Sequence, residues 1–371
     1  MNKNAMAVAV AGVLAAPATF AQSSNVQLYG RAVLGLDYYS ATGARDVQTT
    51  GGTAATSTGA NCTTPTGTGG CLSGSQMDMK GRLRVFDNGS RVGLRGTEDL
   101  GNNLKAIFQI ETGVNIDSGS QNGQNGTSNA STGFWASRDS FVGLDSSWGR
   151  LTFGRQSTFW VNGVNAQFSS NYINTEIPWT NGTQLGRVSS GTTGSIARYS
   201  NNVQYITPTF AGMNLTVSYS PNNQEAVQNS TTTKADGDMW GGTWRGGWGP
   251  WYAQVDYARQ NANTPLNGAP RAYWQGWKVG GSWGYMPGSR IGLIWVYNAT
   301  NNAVGNLAGD GVYQSGWTVN WEQTFGNFQV MAQYGWTNNM KDCDSTAIIQ
   351  CGDTKSTGYM VGGRYFLSKR T

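Results

Sequence analysis

Residues 90–113 read SRVGLRGTEDLGNNLKAIFQIETG, and this stretch decides what kind of sheet the chain forms. Apolar and polar side chains alternate on both sides of a polar, glycine-containing turn predicted at 97–101. One parity is apolar, whereas the other carries full charges of both signs. A period of two on either side of a turn predicts a β-hairpin with two unlike faces. A soluble sandwich would also contain such a hairpin, so the class of fold depends on whether the pattern recurs.

The two-faced pattern recurs along the chain, at 26–38, 213–219, 251–257, 314–322, 328–336 and 357–367. Short connections alternate with long polar ones, which lie at 40–76, 115–133, 157–188, 221–237, 260–271, 298–311 and 337–356. Aromatic residues crowd the strand ends. These features are typical of an all-β fold, a transmembrane antiparallel β-barrel, which closes because lipid cannot hydrogen-bond an open sheet edge. A secreted soluble β-protein is the alternative.

The composition indicates an exported protein without the groups that most enzymes need. Lys3, a short apolar stretch and a small-residue site ending at Ala21 predict a signal peptide at 1–21, which leaves 22–371 as one barrel domain. The 371 residues include no histidine, so histidine-based triads and histidine-ligated metals are excluded. A formal net charge of +5 is too mild to indicate a nucleic-acid partner. We expect neither enzyme activity nor a cofactor or metal.

The four cysteines form two close pairs, each within one polar stretch rich in small residues. Four cysteines allow three connectivities, and export favours their oxidation. We expect two local disulfides, Cys62–Cys71 and Cys343–Cys351. A zinc site, the alternative, would require tighter spacing and converging partners.

Three motifs, taken in order, resemble the general diffusion porins of Gram-negative outer membranes, and most nearly their β-proteobacterial branch. They are VQLYGR at 26–31, the hairpin at 90–113, and FVGL at 141–144 leading to GRQ at 154–156. The resemblance covers essentially all of 22–371. It implies a homotrimer of sixteen-stranded barrels in outer-membrane lipid, with the third long loop folded into each lumen.

The resemblance also implies where the channel narrows. The third long connection, 157–188, is similar in position to the family's constriction loop, and it carries a single acid, Glu176. Arginines on the lumen parity should face it. Arg31 and Arg91 match basic positions of the family's arginine cluster, Arg138 also fits, and Arg198 shares the parity of Asn202 and Gln204. The candidate constriction residues are Arg31, Arg91, Arg138, Arg187, Arg198 and Glu176, of which Arg187 is the looser match.

Each of these residues also has a simpler interpretation. An arginine can line a barrel without influencing selectivity, and Glu176 could cap a turn. Arg155 differs, because it shares the apolar parity of Leu151 and Phe153. A charge facing lipid costs roughly 2–4 kcal/mol at mid-depth, so we expect Arg155 to find a partner at a subunit interface.

The leading functional hypothesis is a water-filled channel for passive diffusion of small hydrophilic solutes and ions, with a preference for anions. Three alternatives stay open: a substrate-specific channel for a sugar or an organic anion, a plugged barrel with an adhesive or structural role, and an outer-membrane enzyme. The last is disfavoured because the chain has no histidine and no GxSxG motif in a strand–turn–helix context.

The strand count is fourteen, and the fourteenth strand is predicted at 357–367. After it, 368–371 reads as a turn. The resembled family continues with one more hairpin, so we expect either a sequence that lacks this hairpin or an unclosed seam between 26–38 and 357–367. A closed fourteen-stranded barrel is the alternative.

Overall fold

The structure of the chain is a computed structural model that describes residues 25–41, 79–87, 89–114, 116–117, 135–157, 198–221, 238–261, 273–301, 312–342 and 355–366. All regular elements in these ranges are β-strands. Among the described residues, no helix is long and apolar enough to cross a membrane.

The described part of the chain forms sixteen strands. They are β1 (Asn25–Arg31), β2 (Leu34–Ala41), β3 (Met79–Asp87), β4 (Arg91–Gly101), β5 (Leu104–Gly113), β6 (Ser140–Ser146), β7 (Gly149–Ser157), β8 (Arg198–Ile206), β9 (Met213–Ser220), β10 (Met239–Trp248), β11 (Trp251–Asn261), β12 (Tyr273–Trp283), β13 (Ser289–Asn301), β14 (Val312–Phe325), β15 (Phe328–Thr337) and β16 (Ser356–Tyr365).

Fourteen of these strands form one antiparallel sheet, in the order β1-β4-β5 and then consecutively to β16, while β2 pairs with β3. β1 continues into β2, and β3 into β4, across short interruptions. At the second interruption the backbone amides of Gly89 and Ser90 both donate to Asp87 Oδ2 at 2.9 Å, and Val33 N donates to Ser90 Oγ at 2.8 Å. Side-chain acceptors therefore replace ladder bonds there. The described chain runs through the sheet in fourteen passes (16 − 2), which confirms the predicted number of strands.

The hairpin that opened the sequence analysis is β4–β5, and its turn lies later than predicted. β4 extends to Gly101, and the turn consists of Asn102 and Asn103, with φ of 51° and 60°. Asparagine tolerates this left-handed conformation, and positive φ at both central residues suits the twist of a two-residue hairpin. The predicted turn at 97–101 was wrong because residues 97–99 still pair with β5.

The sheet exposes its apolar face and covers its polar face, which is the reverse of what a soluble protein does. On β9, Leu215, Val217 and Tyr219 are 43–48% exposed, whereas Thr216 and Ser218 are 1% and 2% exposed. We call the apolar, exposed face outward and the polar face inward. Soluble proteins bury apolar side chains and rarely expose large apolar patches, so a face of this kind is one that lipid or a neighbouring subunit covers. This argues against the secreted soluble alternative.

Aromatic side chains form two bands on the outward face. Trp251 and Trp283 stack near the short turns, with ring centroids 5.3 Å apart, and Tyr257 and Trp277 lie 4.5 Å apart toward the long connections. Trp277 and Trp283 are both on β12, six positions apart, which is about 20 Å along a strand. Two aromatic girdles flanking an apolar band are typical of barrels that span an outer membrane.

The outer strands of the large sheet are β1 and β16. No ladder joins them within the described residues, so the described sheet is open there. This confirms the expected seam between 26–38 and 357–367.

Candidate functional site

Glu111 lies at the centre of the candidate site, on the inward face of β5, where it is 5% exposed. Arg138 Nε lies 2.6 Å from Oε1, and Arg91 Nε lies 3.4 Å from Oε2. The Tyr29 hydroxyl donates a hydrogen bond to Oε2 at 3.0 Å. Hydrogen bonds to an ionised acceptor are short and strong, so this one carboxylate fixes two arginines and a tyrosine.

Gly93 makes this arrangement sterically feasible. It is the strand partner of Tyr29 on one side and of Glu111 on the other, so it lies between them on the inward face. A Cβ at Gly93 would lie 2.7 Å from the end of the Tyr29 ring and 2.8 Å from the Ile110 carbonyl oxygen. Because glycine leaves that space open, the tyrosine crosses β4 and reaches the carboxylate.

Arg31 joins the site from β1. It is the strand partner of Arg91, and its Nε donates to the carbonyl oxygen of Gly89 at 3.2 Å. The short interruption before β4 therefore holds the Arg31 side chain beside that of Arg91. Together Glu111, Arg31, Arg91, Arg138 and Tyr29 are called the Glu111 cluster below.

Arg138 reaches the cluster because the segment before β6 binds the end of β5. Its backbone amide donates to the Glu111 carbonyl oxygen at 3.0 Å, and Gly113 N donates to Ser137 Oγ at 3.0 Å. Ala136 takes a positive φ of 63°, which turns the chain into this contact. These backbone contacts place the Arg138 side chain beside the Glu111 carboxylate.

The Glu111 cluster carries more positive than negative charge. Its three arginines and one glutamate give a formal charge of +2 (3 − 1). A surplus of one sign on the wall of a narrow passage raises the local concentration of the opposite ion. The structure therefore brings together Arg31, Arg91 and Arg138, three of the six predicted constriction residues, on one inward wall.

Arg198 does not have the parity that the sequence analysis assigned to it. Asn201 takes a φ of 53°, and the register between β7 and β8 shifts between Gly154 and Gln156. This β-bulge inserts an extra residue, so Tyr199 becomes the partner of inward-facing Gln156. Arg198 instead pairs with Ser157, and the prediction that it shares a face with Asn202 and Gln204 was wrong.

Asp139 forms an ion pair with Arg198 at the position where the bulge places this arginine. Arg198 Nε lies 3.1 Å from Asp139 Oδ1, and the Ser157 hydroxyl donates to the same carboxylate at 2.6 Å. Arg155 keeps the outward parity, where its Nη1 donates to Ser200 Oγ at 2.7 Å and its Nε to the Ser137 carbonyl oxygen at 3.3 Å. Arg155 therefore finds its partners within its own chain, and its location at a subunit interface stays a prediction.

Several predicted features lie outside the described residues. They are Glu176 and Arg187 in the third long connection, the four cysteines of the expected disulfides Cys62–Cys71 and Cys343–Cys351, and the predicted signal peptide at 1–21.

The inward wall from β8 to β15 carries mainly buried amides rather than charges. They include Asn202, Gln204, Gln254, Gln260, Asn298, Gln314, Asn320, Gln329 and Gln333. One acid on this wall, Asp256, accepts from Thr243 Oγ1 at 2.6 Å and from Gln254 Nε2 at 2.8 Å, and its strand partner is Lys278. No group of three or more metal-ligating side chains occurs in the described ranges.

Sequence reasoning did not assign a role to Glu111, although the signal was present. The hairpin predicts that Gly93 faces Glu111, which makes Arg91 a diagonal neighbour of the carboxylate. Tyr29 and Asp139 were missed for a different reason. Their roles depend on Gly93 and on the bulge at Asn201, and neither follows from alternation.

Comparison with known sequences gives one family across nearly the whole chain. The model of the Gram-negative porin family matches residues 5–371. An outer membrane porin protein of Bordetella pertussis is 37% identical over 142 residues, which cover 38% of this chain and 32% of the relative. The major outer membrane protein P.IB of Neisseria meningitidis serogroup B is 30% identical over 179 residues, which cover 48% and 47%. The chain thus spans less than half the length of these curated relatives.

Comparison with solved structures shows the fold. The anion-selective porin from Comamonas acidovorans superposes with a TM-score of 0.61 at 20% identity, over 94% of this chain and 86% of that one. Salmonella typhi OmpF, in complex with daunomycin, gives a TM-score of 0.53 at 15% identity, over 93% and 86%. At such identities the likeness concerns the porin barrel alone.

Proposed function

Because the chain belongs to the Gram-negative porin family, we propose that it forms a water-filled channel through which small hydrophilic solutes and ions diffuse passively, with a preference for anions. The protein is a channel protein of the Gram-negative outer membrane, as the names of its relatives indicate, and not an enzyme.

The observation that carries the anion preference is the surplus of two positive charges in the Glu111 cluster. Charged side chains on the walls of a constriction set ion selectivity. We place the constriction between this cluster and the connection at 157–188, which contributes Glu176 and Arg187. Arg198, which the bulge turns away from the inward face and which pairs with Asp139, is left out of the constriction. The Comamonas porin that shares this fold is itself named anion-selective.

The described inward wall favours general diffusion over a sugar-specific channel. A sugar channel would guide its substrate along a row of neighbouring, accessible aromatic rings. In the described part of the chain the inward rings of Tyr199 and Trp274 are only 1% and 2% exposed, so a solute cannot reach them. The outward bands hold most of the other rings, where they face lipid and not the solute.

We also propose how the protein is exported, how it assembles and which of its cysteines are bonded. The signal peptide at 1–21 is removed, the barrel at 22–371 assembles as a homotrimer in outer-membrane lipid, and Cys62–Cys71 and Cys343–Cys351 close two loops. The polar contacts of Arg155 and Arg198 support a protein contact on that side of the barrel. Charged groups facing lipid cost roughly 2–4 kcal/mol each at mid-depth.

Liposome swelling tests the proposed general diffusion. Proteoliposomes are diluted into isosmotic solutions of uncharged sugars of increasing size, and the rate of swelling is followed by light scattering. A general channel predicts rates that fall smoothly with solute size, with no sugar faster than its size allows. One sugar entering far faster than smaller ones would indicate a specific channel, and no swelling above that of empty liposomes would indicate a plugged barrel.

A further inference from the structure

Two arginines outside the Glu111 cluster share an unusual environment on the inward face. Arg95 on β4 and Arg245 on β10 are both exposed, and both lie in the turn half of the wall. Arg95 Nε donates to Gln27 Oε1 at 2.9 Å, and Arg245 Nε donates to Asn214 Oδ1 at 2.9 Å. In each case the acceptor is the arginine's own strand partner.

The strand on the other side of each arginine also presents an amide. Arg95 lies between Gln27 and Gln109, and Arg245 lies between Asn214 and Gln254. An amide oxygen orients a guanidinium through Nε without cancelling its charge, whereas a carboxylate would neutralise it. The same arrangement, an arginine held through Nε by a neighbouring amide oxygen, occurs on two separate parts of the wall. We infer that the two arginines have the same role.

Neither guanidinium is neutralised by an acid of the described chain. The described residues provide no carboxylate within ion-pair distance of Arg95 or Arg245. Asp99, four residues after Arg95 on β4, accepts a hydrogen bond from Gly101 N and is the strand partner of Lys105. Asp256, on the wall of Arg245, is fully buried and already bonded to Thr243 and Gln254.

Arg95 is further fixed by an aromatic ring. Its guanidinium carbon lies 5.1 Å from the centroid of Tyr29, the tyrosine that binds Glu111. A cation–π contact at this distance favours one plane for the guanidinium. Since Nε is occupied by Gln27, the two terminal amino groups form the fork that matches an oxyanion or carboxylate.

We propose that Arg95 and Arg245 are anion-binding sites for small carboxylates on the turn side of the constriction. The inference rests on the proposed channel, and it adds that the channel selects among anions by shape as well as by charge. Chloride responds to the positive field alone, whereas a carboxylate also gains paired hydrogen bonds from each planar fork. A carboxylate that passes the Glu111 cluster therefore meets a second level of binding groups.

The test uses the full-length protein reconstituted in planar bilayers, with succinate as the probe. Chloride current is recorded while sodium succinate is added, and the half-blocking concentration is determined. Arg95→Gln combined with Arg245→Gln should raise this concentration about tenfold or more, because each substitution removes the charge-assisted hydrogen bonds that the guanidinium fork gives to a carboxylate.

Arg150→Gln is the matched control. Arg150 also lies in the turn half of the inward face, but it is ion-paired with Asp145 at 2.6 Å. Arg150→Gln removes one formal charge, as Arg95→Gln or Arg245→Gln alone would, and should change the half-blocking concentration less than about twofold, because recognition by the fork and not net charge is decisive. An equal effect of Arg150→Gln, or an unchanged value in the double variant, would overturn the proposal.

Two further measurements separate this inference from the proposed function. Arg95→Lys with Arg245→Lys keeps the charge and should preserve the chloride-to-potassium permeability ratio while weakening succinate block. Calorimetric titration of the detergent-solubilised protein with succinate should show the same order of affinities without any conduction. A channel without anion preference would contradict the proposed function, while an arginine-dependent succinate affinity would still support this site.

Discussion

Glu111 determines how much positive charge the cluster presents to a passing ion. Its carboxylate is nearly buried and lies within 3.4 Å of Arg91 and 2.6 Å of Arg138. Two arginines held this close to one acid are partly neutralised, so the cluster carries less positive charge than its arginines alone would give. A single acid can therefore both organise the arginines and limit the anion preference that they produce.

Glu111→Gln should make the channel more selective for anions. The change raises the formal charge of the cluster from +2 to +3, and one unit charge about 7 Å from an ion in water changes its local concentration roughly threefold. We expect the chloride-to-potassium permeability ratio to rise by about that factor or more, measured from the reversal potential in a KCl gradient. Arg138→Gln, the matched opposite change, should lower the ratio, and a fall in the Glu111→Gln channel would contradict this interpretation.

The four cysteines should form two disulfides, each within one loop. Cys62–Cys71 and Cys343–Cys351 should both be oxidised in the exported protein, each stabilising by about 3 kcal/mol or less because the closed loops are short. Peptide mapping without reductant should recover both linked peptides. Free thiols, or a bridge between the two pairs, would refute the assignment.

The elements of the fold follow from the sequence to different extents. Alternation alone predicts the two faces of β4, β5, β9 and β11 and the number of passes, because a period of two is a property of the backbone. It fails at Arg198, since one residue in a left-handed conformation reverses the parity of everything beyond it. Alternation also does not predict the effect of Gly93. Because Gly93 has no side chain, Tyr29 can cross β4 and reach Glu111.

The bulge at Asn201 can be tested directly. Asn201→Val should destabilise the barrel by about 1–2 kcal/mol, because a β-branched residue is strained at positive φ. Asn201→Gly should be nearly neutral, since glycine adopts this conformation freely. Unfolding in urea, followed by tryptophan fluorescence, measures both.

Val203→Ile serves as the control on the same strand. Its side chain is on the outward face and 37% exposed, and its backbone is extended, so little change in stability is expected. If Val203→Ile lowered the free energy of unfolding as much as Asn201→Val, this would show that β8 tolerates no substitution. A tolerated Asn201→Val would show that the bulge is absent and that Arg198 returns to the face of Asn202.

At the scale of the whole molecule, the protein reverses the usual distribution of polarity. Its apolar side chains face outward between two aromatic bands, and its polar side chains face inward. The sequence predicts this reversal because the same parity stays apolar through the recurring strands. It predicts the candidate site less completely, because the Glu111 cluster combines β1, β4, β5 and the segment before β6, and such contacts depend on register.

The purified protein should be a homotrimer. Native mass spectrometry of the detergent-solubilised complex should give a mass of three chains, since the charged contacts around Arg155 and Arg198 are costly in lipid. A monomer as the only species would contradict this, and would show that the contacts of Arg155 and Arg198 within their own chain are sufficient in lipid.

The central claim is that the arginine surplus of the Glu111 cluster makes the channel prefer anions. The reversal potential in a tenfold KCl gradient tests it most directly, for the unchanged protein and for a variant with Arg31, Arg91 and Arg138 all replaced by glutamine. We predict a potential of the sign carried by chloride, and a loss of that preference in the variant. A potential of the sign carried by potassium, or the same chloride preference in both proteins, would contradict the account.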